Sequence, residues 1–297
     1  MNLRTLRSVG ASALLSLIII TSASAGSPLL HERFDGSFDE TWFFLNFEDD
    51  DGVFGKHPMV QCGVDACASF EQTGDDRFLR ISVNPSATEG IYTNTDVSEV
   101  ELGLLTSTGS GDWNPVPGRP VVLEARVRWN EAYNADGSGA AVGTSGIIMW
   151  NSAVGPDGPT PDYDQIGFTW VTDRAFLGLL AGLNATTVID FVPLLVSRPL
   201  LPVNINDWVD LKLVWSTTVL GIQTVQYYVD GGLIGIHLLP KALRNLSVEI
   251  WNDNQEPTIT LGSVLDDPGR ISYPTKYPSP AAQQSFEVDG ISVRLGG

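Results

Sequence analysis

The sequence is poor in basic residues, histidine and cysteine. Lys and Arg total 17 against 35 Asp and Glu, a formal net charge of −18. A chain this acidic repels phosphate backbones, which excludes nucleic acid as a main partner. Anionic membrane surfaces and strongly acidic polysaccharides are disfavoured on the same ground. The three histidines, His31, His57 and His237, are scattered and form neither a Ser-His-Asp arrangement nor a metal pair. Helical apolar periodicity is almost absent. So are internal repeats, low-complexity linkers and any composition shift marking a second domain. Beyond residue 25 no apolar run approaches the roughly 20 residues that cross a membrane, so no membrane insertion is expected. What is abundant is apolar surface. At 43% hydrophobic residues the chain has enough to bury a full core, which excludes disorder.

The first 25 residues read as a secretory signal. Arg4 and Arg7 open it, the apolar run Ala13–Ile20 follows, and Ala23-Ser24-Ala25 is a small-x-small cleavage site before Gly26. Removing Arg4 and Arg7 leaves 15 basic residues against 35 acidic ones, a net charge of −20. The mature chain, residues 26–297, is expected as one exported domain, extracellular or periplasmic. In that compartment the two cysteines, Cys62 and Cys67, are expected to pair. The small loop they close is worth roughly 2 kcal/mol in the chain-entropy account.

Strand-like runs bounded by Gly, Pro, Asn and Asp recur along the chain. The pattern predicts strands over 78–83, 99–107, 121–129, 145–150, 165–171, 176–180, 187–192, 208–215, 224–229, 233–237, 246–251 and 286–295. In 121–129 the odd positions are apolar while Glu124, Arg126 and Arg128 point the other way, a strand with one buried and one wet face. Asp230-Gly231 between two strand runs is a hairpin turn signal. The segment 191–203, rich in Leu and Pro, is expected to be an apolar loop over a sheet edge or groove. About a dozen strands in one chain predict an all-β jelly-roll sandwich of two antiparallel sheets.

The order of these strands resembles the concanavalin A-like lectin/glucanase superfamily, and within it the family-sixteen glycoside hydrolases of laminarinase and lichenase type. The resemblance spans about residues 30–295. It rests on Phe34-Asp-Gly-Ser-Phe-Asp-Glu-Thr-Trp42, Gly74-Asp-Asp-Arg-Phe-Leu-Arg-Ile-Ser82, Val122-Leu-Glu-Ala-Arg-Val-Arg128, Gly146-Ile-Ile-Met-Trp150, Gln226-Tyr-Tyr-Val-Asp-Gly231 and Phe286-Glu-Val-Asp-Gly-Ile-Ser-Val293. The family's catalytic strand carries E-x-D-x-E or E-x-D-x-x-E, whose two Glu act as nucleophile and proton shuttle. The equivalent stretch here is Asp162-Tyr-Asp-Gln-Ile-Gly-Phe168. One register puts Asp162 and Asp164 on the first two family positions. The other keeps Ile166 and Phe168 in the core and gives the groove Tyr163, Gln165 and Gly167; it preserves the apolar alternation and is preferred. Both place Gly167 where the proton donor belongs, so no family catalytic residue carries over. A polysaccharide lyase of the same fold would need a histidine after Gln165-Ile166, and Gly167 stands there too.

Glu249, Trp251 and Asp253 share one face of the run 246–254, opposite Val248 and Ile250. An aromatic plate between carboxyl groups suits a sugar, whose C–H face stacks and whose hydroxyls need polar partners. With Tyr163, Gln165 and Trp150 these three form the expected glycan-binding set. Glu249 and Asp253 are also the first candidates for a displaced catalytic pair. Trp129 and Trp215 follow core parity, Trp42 and Trp208 sit at strand starts, and Trp170 shares parity with Phe168. The resemblance further implies one structural calcium ion, held by Asp289 with oxygens from Glu32 and Asp75. The expected function is non-catalytic binding of a neutral polysaccharide. A divergent glycoside hydrolase is the first alternative and an adhesive extracellular protein the second.

Overall fold

The computed structural model describes residues 28–34, 42–47, 65–90, 93–99, 114–150, 164–189, 192–201, 203–244, 246–257 and 275–296. They contain no α-helix, one 3₁₀ turn at Ala175–Gly178, and seventeen strands. In chain order these are β1 (Pro28–Glu32), β2 (Trp42–Phe47), β3 (Ala66–Thr73), β4 (Asp76–Val83), β5 (Asn94–Glu99), β6 (Val121–Trp129), β7 (Thr144–Trp150), β8 (Gln165–Val171), β9 (Gly182–Ile189), β10 (Val192–Ser197), β11 (Val209–Thr217), β12 (Gln223–Val229), β13 (Gly232–Leu238), β14 (Ser247–Asp253), β15 (Glu256–Pro257), β16 (Thr275–Lys276) and β17 (Gln284–Leu295).

Two antiparallel sheets hold nearly all of them. The first runs β13-β12-β11-β6-β17-β4-β3, with β1 also pairing β17; the second runs β10-β9-β8-β7-β14-β5-β2. Their inner faces bury Trp129, Trp170, Trp215, Phe168, Tyr227 and Phe286 between them. The alternation read from 121–129 holds: Val121, Leu123, Ala125, Val127 and Trp129 enter the core. On the other face, Arg128 donates to Glu287 and stacks on Trp208 at 4.6 Å. Between β12 and β13, Asp230 (φ 49°) and Gly231 (φ 74°) both turn left-handed, as a type I′ hairpin requires.

Two expectations are corrected. Residues 192–197 are not a loop but β10, the outermost strand of the second sheet. Pro193 is tolerated there because an edge strand carries fewer ladder bonds, and the register shifts beside it. Residues 176–180 do not form a strand; the chain turns through the 3₁₀ segment and Gly178 (φ 75°). β5 covers Asn94–Glu99, and the rest of the expected strand, residues 100–107, lies outside the described residues. The leader 1–25 and Cys62 lie outside the described residues. Cys67 sits on β3, and no described cysteine is free.

Candidate functional site

Strand pairing in the second sheet sets the register of its outer face. Rows run across β14, β7, β8 and β9 as Ser247–Trp150–Gln165–Val188, then Glu249–Ile148–Gly167–Thr186, then Trp251–Gly146–Thr169–Asn184. Val248 and Ile250 are fully buried in the core, so Glu249, Trp251 and Asp253 do face outward. The preferred register of the 162–168 stretch also holds. Ile166 and Phe168 are in the core, and Gln165 and Gly167 are on the outer face. Tyr163 lies outside the described residues. Asp164 is buried and pairs with Lys241 at 2.9 Å.

Gly167 is fixed by packing. A Cβ there would lie 2.4 Å from the Ile147 carbonyl oxygen and 2.8 Å from Ile148 Cγ2. Ile148 leans across the space above Gly167. Gly167→Glu is therefore expected to yield no hydrolase and to lose about 2–3 kcal/mol of stability by overpacking. Thermal melting and a reducing-sugar assay check both parts.

The face departs from expectation at Trp251, which is only 8% exposed and so is not an open sugar plate. Its Nε1 donates to Thr144 Oγ1 at 2.9 Å. Its ring edge, Cη2, would lie 3.0 Å from a Cβ at Gly146, so only glycine leaves room for the indole. The same Thr144 hydroxyl donates to the Asp253 carboxylate, at 3.1 Å from either oxygen. Backbone N–H groups of Thr144 and Gln255 donate to Asp253 Oδ1 at 2.8 and 3.0 Å. Thr144 and Gly146 escaped the sequence reading because their roles follow from the pairing of β7 with β14, which no local pattern encodes.

Glu249 differs from Asp253. It is 9% exposed, and among the described residues no donor reaches its carboxyl. Burial pushes its pKa up to about 8, helped by the charge of Asp253. Burial likewise raises Asp253 to about 7, against the lowering effect of its three hydrogen bonds. The two candidate carboxyls are thus brought together electrostatically. The accessible part of the face is the neighbouring row, where Trp150 and Gln165 are half-buried.

The implied calcium donors do converge. Asp289, Glu32 and Asp75 line one cleft of about 750 Å³ on the outer face of the first sheet. One oxygen each of Asp289 and Glu32 is engaged, however. Asp289 Oδ2 accepts from Arg126 at 2.9 Å, and Glu32 Oε1 accepts from the N–H groups of Arg33 and Phe34. Among the described residues no three His, Cys, Asp or Glu side chains are grouped to hold a metal ion. For Asp289 to give both oxygens to a calcium ion, Arg126 would have to leave it.

No protein-family model and no curated protein matches the sequence. Solved structures match at low identity. A prokaryotic β-1,3-1,4-glucanase (lichenase) derived from a mouse hindgut metagenome is 10% identical, with 89% of this chain and 97% of that one covered at a TM-score of 0.50. The β-glucanase of Bacillus licheniformis is 11% identical, covering 89% and 96% at 0.48. The endo-β-1,4-glucuronan lyase of the fungus Trichoderma reesei is 10% identical, covering 84% and 94% at 0.46. With its two antiparallel sheets and this strand order, the chain has the concanavalin A-like lectin/glucanase fold.

Proposed function

We propose that the protein is exported and binds a neutral polysaccharide along the outer face of the second sheet, without cleaving it. One observation carries the reading: Glu249 is a buried carboxyl with no hydrogen-bond donor among the described residues. Its oxygens keep contact with solvent rather than being sealed in, so a sugar hydroxyl docking on this face can reach them. Protonated at neutral pH, Glu249 donates to and accepts from a sugar hydroxyl without adding charge. The half-buried Trp150 ring one row away supplies a stacking surface, and Gln165 beside it supplies an amide. An acidic sugar would meet the negative field of the whole chain.

Asp253 argues against the hydrolase alternative. Three hydrogen bonds hold its carboxyl in place at 3% exposure, which leaves it no freedom to act as an attacking nucleophile. Calorimetry of the mature protein against a panel of neutral glucans is expected to find a ligand. Trp150→Ala is expected to weaken it by about 1–3 kcal/mol, roughly 5- to 150-fold. If no neutral glycan binds, or if reducing ends accumulate during the titration, the reading falls.

A further inference from the structure

We infer that the protein forms a symmetric dimer through the free edge of β13, pairing with the same strand of a second copy. β13 ends the order of the first sheet, and its only sheet neighbour among the described residues is β12. Among the described residues, then, the far side of its backbone has no strand partner, and its N–H and C=O groups can take an incoming strand. Edge strands that stay single are usually guarded by charge or proline. β13, Gly232-Leu-Ile-Gly-Ile-His-Leu238, has neither. Its one titratable side chain, His237, turns inward and is held by Thr187 and Ser197.

The side chains beside that edge are apolar and uncovered. Ile236 is 52% exposed and Leu238 61%, and both pair in register with the outward-facing Gln226 and Thr224 of β12. Leu233 is also exposed, as are Val219, Leu220 and Ile222 at the β11–β12 turn. A run of exposed aliphatics in one region marks a contact surface rather than scattered surface residues.

Charge selects the occupant. From 213 to 240 the only charged residue is Asp230, whereas the chain average of 18% charged would place about five there. Asp230 is itself turned back to accept the Asp210 N–H. Two copies of a −18 chain repel each other over most of their surface. A basic partner would be drawn to the acidic surface and not to this neutral edge. An antiparallel strand edge is complementary to itself about a two-fold axis, which is the geometry of a closed dimer. The bulge near Gly235 leaves Ile236–Leu238 as the straight segment that pairs.

Sedimentation of the mature protein across the micromolar range, with and without Ile236→Lys or Leu238→Lys, tests this. The wild type is expected to run at twice the chain mass and each variant at the chain mass, with unchanged far-ultraviolet circular dichroism and retained glycan binding. Amide hydrogen exchange on the wild type provides a check that needs no variant: protection within Ile236–Leu238 should rise with protein concentration. A wild-type protein that is monomeric throughout, with exchange in β13 independent of concentration, overturns the proposal. So does a dimer that survives both lysine variants with unchanged mass. If the variants fail to fold, the exchange measurement decides. Glycan binding lies on the other sheet, so its failure leaves this result unaffected.

Discussion

Trp251→Ala lowers the melting temperature by roughly ten degrees, the expected consequence of removing about 3–5 kcal/mol of folding stability. The indole sits on the outer face of β14, yet it is nearly as covered as a core side chain. Its ring fills the space over Gly146, and its N–H satisfies Thr144. Truncation leaves a cavity above bare backbone and a threonine hydroxyl with one partner fewer. Because the same hydroxyl donates to Asp253, the carboxylate loses part of its support as well. Trp150→Ala is the control. That ring is half-buried, so its loss should fall mainly on glycan affinity. Thermal melts of both variants separate the two roles. A Trp251→Ala protein melting within about two degrees of wild type would show the indole to be a free plate after all.

Folding stability is expected to fall as pH rises from about 5 to about 8. In the folded protein Glu249 and Asp253 hold protons up to about pH 8 and 7. In the unfolded chain they release them near their ordinary values of 4.5 and 3.8. The unfolded state therefore binds fewer protons across this interval, and stability declines with pH until the folded carboxyls also ionise. Each unit of displacement is worth about 1.4 kcal/mol, so the effect is on the order of a few kcal/mol for the pair. His237 acts in the opposite sense on the acid side. Burial lowers its pKa from 6.5 to about 4, so stability is lost as pH falls through that range. Together these place maximum stability at mildly acidic pH. Denaturant melts between pH 4 and 9 should show the maximum, and Glu249→Gln should flatten the alkaline limb. An unchanged slope in that variant would mean Glu249 is not the group responsible.

Much of the sandwich was legible because strands with one wet face write a period of two. The run 121–129 and the run 165–171 are found at those bounds, and the Asp230-Gly231 turn lies where the two left-handed residues fall. β3, Ala66-Cys-Ala-Ser-Phe-Glu-Gln-Thr73, escaped because it has small and polar residues where β-branched ones are the signal. β10 escaped because Pro193 and Pro199 read as loop, although an edge accepts proline. The parity of Glu249, Trp251 and Asp253 could be read from β14 alone. Their burial could not, since cover comes from chain distant in sequence. Nor could the join of Trp251 to Asp253 through Thr144, since the partner lies 107 residues away.

Asn252 lies between Trp251 and Asp253 and points the other way. Its amide donates to the carbonyls of Ile81 and Gln284, and its oxygen accepts from Tyr133 and from the Gln284 side chain. Ile81 and Gln284 belong to the opposite sheet. The outer face of β14 is thus bolted through the fully buried Asn252 to the far wall. A strand held on both sides has little freedom to surrender when something docks on it. Association at this face should therefore be limited by how well a glycan fits a fixed surface, with affinity differing sharply between linkages and backbone order parameters in β14 unchanged on binding.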